Sequence, residues 1–155
     1  MQVIGLCRFS YPAQGGFQVE HKSIEERSAY LYQADRMEER FRHFETIMLP
    51  SISAQSDTNF TFVIVIGDNL PEPYLERLLD LCAPFPQIVI KAYAPADHRS
   101  TMQKAINWAR RDPDELCLQF RHDDDDAIAL NFVEHFRRTA QDCRALLQRS
   151  KFVAF

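Results

Sequence analysis

Phe60-Thr61-Phe62-Val63-Ile64-Val65-Ile66 is an almost unbroken apolar run rich in β-branched residues, closed by Gly67-Asp68. A strand with no polar alternation is what a parallel sheet covered on both faces requires. Upstream, Met37, Phe41, Phe44 and Met48 recur at helical spacing between Asp35 and Leu49, with charges between them, and Pro50 marks the expected stop. Val3-Ile4-Gly5-Leu6-Cys7 reads as a first buried strand. Residues 10–34, with Pro12, Gly15 and Gly16, read as a long connection of the kind that is usually functional or mobile.

Downstream, Pro71 suits a first helical position, and Tyr74, Leu75, Leu78, Leu79 and Cys82 form one face before Pro84 and Pro86. Ile88 to Tyr93 is the next strand. Ser100 is the expected cap of a helix whose stripe is Met102, Ala105, Ile106 and Ala109, ended by Asp112-Pro113. Leu116-Cys117-Leu118-Gln119-Phe120 is the fourth strand. Phe132, Phe136, Ala140, Cys143 and Leu147 line a final long helix, and Lys151-Phe152-Val153-Ala154-Phe155 reads as a fifth strand. Strands alternating with helices predict an α/β fold, an open and mostly parallel sheet with helices on both faces. A chain ending inside a strand is expected to continue in a longer parent.

The 155 residues fit one domain, with no repeat and no dividing linker. Acidic residues number 22 and basic ones 18, and four of the acids are the consecutive Asp123, Asp124, Asp125 and Asp126. The remainder is balanced, so the charge is a local knot that suits a cation, without the basic stripe of a nucleic-acid binder. Cys7, Cys82, Cys117 and Cys143 are far apart and form no C-x-x-C pair, so they read as core thiols. No apolar run approaches the ~20 residues of a membrane span, and the start lacks the pattern of a signal peptide. A cytoplasmic protein is the expectation.

Ligands of open parallel sheets sit beyond the carboxyl ends of the strands. Those ends are Arg8-Phe9-Ser10, Gly67-Asp68-Asn69, Ala94-Pro95-Ala96 and His122 through Asp126. Extended backbone would turn Asp123 and Asp125 one way and Asp124 and Asp126 the other. Carboxylates are hard ligands suited to Mn2+ or Mg2+, and a divalent cation would relieve their repulsion. The alternative is a solvated helix N-terminus capped by Asp126, which explains one or two acids but not four. His122, where an apolar residue is expected before the acids, reads as a ligand, a helix-cap partner or a tolerated edge position, the last being preferred. With glycine only at 5, 15, 16 and 67, the chain has no P-loop and no G-x-G-x-x-G turn, and the acids lack EF-hand spacing.

Gly5-Leu6-Cys7-Arg8-Phe9-Ser10, Leu49-Pro50-Ser51-Ile52 with Gln55, Phe62 to Asp68, and Phe120-Arg121 leading into Asp123 to Asp126 together resemble the bacterial rhamnosyltransferase family. These belong with the GT-A-like glycosyltransferases, which carry an Asp-x-Asp type motif. The resemblance runs through the whole chain. It implies a GT-A, Rossmann-like half-domain over residues 1–155, the nucleotide-sugar-binding part of a larger catalytic domain. It implies a nucleotide-diphosphate sugar donor, a saccharide or other hydroxyl acceptor, and a divalent metal held by Asp123, Asp124, Asp125 and Asp126. By the same analogy Arg8, Ser10, Asp68, Arg99 and Asn107 would lie near the donor. Two rivals stand beside it. A metal-dependent phosphohydrolase would often carry its nucleophilic aspartate after the first strand, where this chain has Arg8-Phe9-Ser10. The other is a non-catalytic fragment that binds metal or nucleotide.

Overall fold

The computed structural model describes residues 1–16, 19, 21–147, 149–150 and 152–154. Four strands, β1 (Gln2–Arg8), β2 (Thr61–Gly67), β3 (Ile88–Tyr93) and β4 (Cys117–Arg121), form one sheet in the order β3-β2-β1-β4. Every pair is parallel. This is the α/β architecture expected from the alternation of elements.

Period-two side-chain alternation divides the core between two faces. Val3 and Cys7 of β1 and Phe62, Ile64 and Ile66 of β2 enter one apolar cluster. Against it pack α2 (Ala34–His43), a π-helical turn (Phe44–Met48), α3 (Leu49–Ser53), α4 (Glu72–Cys82) and α6 (Phe132–Asp142). Ile4, Leu6, Val63 and Val65 face the other way, onto Met102, Ala105, Ile106 and Ala109 of α5 (His98–Ala109). Gly5 lies opposite Phe62 and Phe120 in the sheet. A Cβ there would stand 2.4 Å from Phe62 Cδ2 and 2.5 Å from Phe120 Cζ, so the two rings occupy the space a side chain would need.

Several local expectations are corrected. The connection 10–34 contains a helix, α1 (Ile24–Leu31), whose N-cap Ser23 accepts from Glu26 N–H. Glu26 returns a carboxylate oxygen to Lys22 N–H, a variant of the capping box. Helical backbone passes Pro50 instead of stopping there, because the turn before it widens to π geometry, with Leu49 N–H bonded to Phe44 C=O. Asp97, not Ser100, caps α5; its carboxylate accepts from Ser100 N–H at 2.8 Å. The last helix breaks at Cys143 into α6 and a short α7 (Arg144–Leu147). Of the expected fifth strand, Phe152 to Ala154 are not in a strand and Phe152 is 83 % exposed, while Lys151 and Phe155 lie outside the described residues. Cys7 and Cys82 are buried thiols, but Cys117 and Cys143 are only half-buried. Among the described residues, no helix is long and apolar enough to cross a membrane.

Candidate functional site at the carboxyl ends of β1 and β4

The chain leaves β1 for β2 on one side and later places β4 on the other side of β1. The crevice beyond β1 and β4 is therefore the switch point of the sheet, where neighbouring connections diverge and leave room for a ligand. The residues after both strands meet there.

After β4, His122 N–H still bonds Leu6 C=O, and the backbone then turns, with Asp126 N–H directed at Asp123 C=O at 3.3 Å. The four acids thus occupy a turn, and strand alternation does not apply to them. Asp123, Asp125 and Asp126 are exposed and can bring carboxylate oxygens within 4.8 Å of one another. Asp124 points inward and is 5 % exposed. The expected pairing of Asp124 with Asp126 is replaced by a three-plus-one division. Helix α6 starts at Phe132 behind Asn131, so Asp126 caps no helix and the solvated N-terminus reading of the run fails.

Asp124 Oδ1 accepts from Arg40 Nη1 at 2.7 Å, and the same nitrogen lies 3.3 Å from Asp125 Oδ2. Burial raises the Asp124 carboxyl to about 6 despite the opposing pull of Arg40. Behind it, burial and the charges of Asp124 and Asp123 push the Cys7 thiol well above its usual range. Cys7 therefore stays a neutral core thiol. Gln55 supports the loop between the acids and α6: its Nε2 donates to Ser51 C=O and Ala129 C=O, and its Oε1 accepts from Val133 N–H.

The segment after β1 is pinned from both sides. Phe9 N–H bonds Val65 C=O, Arg27 Nη1 bonds Ala13 C=O, and the Tyr11 hydroxyl donates to Ala94 C=O at 2.8 Å while accepting from Ala96 N–H at 3.0 Å. Between these anchors Ser10 adopts φ 48, the one left-handed non-glycine residue among those described. Such a conformation costs of order 1 kcal/mol or more and collects at functional sites. Ser10 is 8 % exposed, and its Oγ has no hydrogen-bond partner. It lines a cavity of about 130 Å³ with Arg8, Arg36, Arg40 and Asp123 to Asp125. Polar groups of both signs thus converge on one small space.

Arg8 and Asp123 also border a second cavity of about 200 Å³ on the α5 side, with Leu6, His98, Met102 and Arg121. Arg8 donates to Gly16 C=O at 3.0 Å. Gly16 is left-handed at φ 73, and a Cβ there would lie 2.8 Å from the His98 ring. Burial, then the charges of Arg8 and Arg121, lower the His98 imidazole, so it favours the neutral form.

Arg8, Ser10 and Asp123 to Asp126 are brought together, then, around this crevice. Asp68 is exposed at the end of β2, where its N–H bonds Tyr93 C=O, and it does not line these cavities. Arg99 and Asn107 do not line them either. Both are exposed on the solvent side of α5, and Asn107 accepts from Gln103 one turn earlier, whereas His98 and Met102 are the residues of that helix at the cleft. His122 is no tolerated edge position: it is 6 % exposed, packs edge-on against Phe62, and burial lowers its imidazole. Arg36, Arg40, His98 and Arg121 also line these cavities, and sequence reasoning passed over them. The spacing of Arg36 and Arg40, one turn apart, was the available signal, but solvated helix faces carry the same pattern.

No match to a curated protein or to a solved structure was found. One family model, described as "Putative rhamnosyl transferase", matches residues 2–155. That span takes in both sides of the cleft, and the chain belongs to this rhamnosyl transferase family of glycosyltransferases.

Proposed function

We propose that the chain binds the diphosphate of a nucleotide-sugar donor in the β1–β4 crevice, through a divalent cation, Mn2+ or Mg2+, held by Asp123, Asp125 and Asp126. The sugar then passes to a hydroxyl of a saccharide or other acceptor. The observation that carries this reading is the three grouped carboxylates beside the buried, unpartnered Ser10 hydroxyl and a wall of arginines. Carboxylate oxygens fit a hard cation, and hydroxyl and guanidinium donors fit phosphate oxygens.

The cation would supply Lewis-acid stabilisation of the departing diphosphate. The chain's own residues do the rest. Arg8 and Arg36 offer positive charge along the wall facing the acids, and the Ser10 hydroxyl gains the partner it lacks in the free protein. The Asp124–Arg40 pair lies beneath the turn that carries Asp123 and Asp125. Gln55 holds the far end of that loop.

Calorimetric titration with nucleoside diphosphates and nucleotide sugars, first with Mn2+ and then with chelator, tests the reading. Binding should require the cation and disappear when Asp123 and Asp125 are both changed to alanine. Equal binding in chelator would sink it.

A further inference from the structure

Asp125 belongs to two groups at once. It is one of the three carboxylates that can converge on a cation, and it is also 3.3 Å from the Arg40 nitrogen that holds Asp124 at 2.7 Å. The two contacts of Arg40 differ in kind. Asp124 is buried, so losing Arg40 would strand its charge, whereas Asp125 is 47 % exposed on its side chain and can exchange Arg40 for another cation at little cost. A divalent ion and a guanidinium repel each other and compete for the same carboxylate.

We propose that Arg40 is the placeholder of the cation site. Without a cation it holds Asp125 against Asp124; a divalent cation takes Asp125 over, and Arg40 stays with Asp124 alone. Arg40 thus competes with the cation for Asp125 and sets the threshold for cation binding. This inference rests on the cation reading above. It also assigns the four acids distinct parts: Asp124 anchors the placeholder, Asp125 changes partners, and Asp123 and Asp126 complete the cation's shell.

Two variants move the competition in opposite directions. In Asp124→Asn, Arg40 loses its anchoring charge and falls to Asp125. In the double variant Arg40→Gln with Asp124→Asn, the net charge is unchanged and Asp125 has no competitor. Electron paramagnetic resonance of free Mn2+ at low ionic strength gives the affinity of each, and circular dichroism reports whether each is folded. Relative to wild type, Mn2+ binding should weaken in Asp124→Asn and tighten in the double variant, each by about two- to fivefold, the range of a partly exposed ion pair. A purely structural Arg40 would weaken binding in both. That same-direction result, or equal affinity in all three proteins, overturns the placeholder while leaving the cation site standing. If wild type binds no more Mn2+ than the Asp123→Asn, Asp125→Asn double variant, the cation reading itself falls, and the placeholder with it.

Discussion

At the amino ends of the strands, Arg137 of α6 gives Nε to Asp57 at 2.6 Å and its other nitrogens to Met1 C=O and Asn59 C=O, while Gln2 gives Nε2 to Ala109 C=O and accepts from Arg111 N–H. At the carboxyl ends, Ser10 Oγ, Arg36 Nε and His122 Nε2 are buried without partners, and three carboxylates share one small region. Arg110 Nε at the amino end is also without a partner, though its Nη2 reaches Pro113 C=O and Glu115 C=O, and among the described residues His21 Nδ1 and His43 Nδ1 are likewise unpartnered. The same four strands thus end in polar groups largely paired with one another on one side, beside a cavity of about 180 Å³ that Gln2 and Arg111 border, and in less fully paired ones on the other. Folding alone favours closure, since each unsatisfied buried group costs about 1–3 kcal/mol. Groups left open in this way are those that ordered water or a bound ligand would satisfy.

The contrast breaks first at Arg137. Arg137→Ala strands the half-buried Asp57 and two carbonyls, and should cost about 3 kcal/mol in urea unfolding. Mn2+ affinity per folded molecule should not change, because the clamp lies at the opposite end of the sheet. A matched loss of Mn2+ affinity would show that the two ends are not independent.

At the open end the effect should appear only with ligand. Saturating wild type with Mn2+ at a hundred times its dissociation constant should raise unfolding stability by about 2.7 kcal/mol, and chelator should remove that gain. Asp123→Asn with Asp125→Asn should show no such gain, and its stability in chelator should equal or slightly exceed that of wild type, because like charges have been removed. A large loss of stability without metal would mean that these acids serve the fold.

Ser10 sharpens the contrast within one residue. Ser10→Gly relieves the left-handed backbone and should stabilise the protein by about 0.5–1 kcal/mol in thermal or urea melts. Losing the hydroxyl should weaken nucleoside-diphosphate binding in Mn2+. A substitution that stabilises and impairs together marks a strained functional residue; a destabilised Ser10→Gly would make the residue a structural one.

The closed end and the open end were not equally legible in the sequence. The four parallel strands follow from apolar runs such as 60–66, since burial on both faces leaves little choice of residue, and the carboxyl-end rule led from there to Arg8, Ser10 and the acids. The strand order was not legible. Nothing local in Leu116 to Phe120 says that this strand lies beside β1, and that placement is what brings Asp123 against Arg8 and Ser10. Arg40 was hidden for a related reason: its contact with Asp124 spans 84 residues, and on its own helix it looks like any solvated charge. Arg99 and Asn107 were drawn in by analogy with a helix that borders the donor, but helical phase turned them to solvent. Helix α1 could have been found, because Ser23-Ile24-Glu25-Glu26 carries the S-x-x-E signature that its cap uses.

The smallest expected effect is in acid. Burial alone would raise the Asp57 carboxyl, but the hydrogen bond from Arg137, that from Asn59 N–H and the guanidinium charge outweigh it and hold the group below the usual carboxylate range. The folded state therefore binds this proton less readily than the unfolded chain. The contribution is fully present above the unfolded carboxylate value near 3.9, and it is lost as pH falls through the lowered folded value. Urea unfolding between pH 5 and about 3 should show wild type losing more stability than Arg137→Ala, whose Asp57 no longer has a bound partner to lose. If the two proteins lose stability in parallel over that range, the Arg137 clamp holds Asp57 by shape and not by charge, and the amino end is closed by packing rather than by its ion pair.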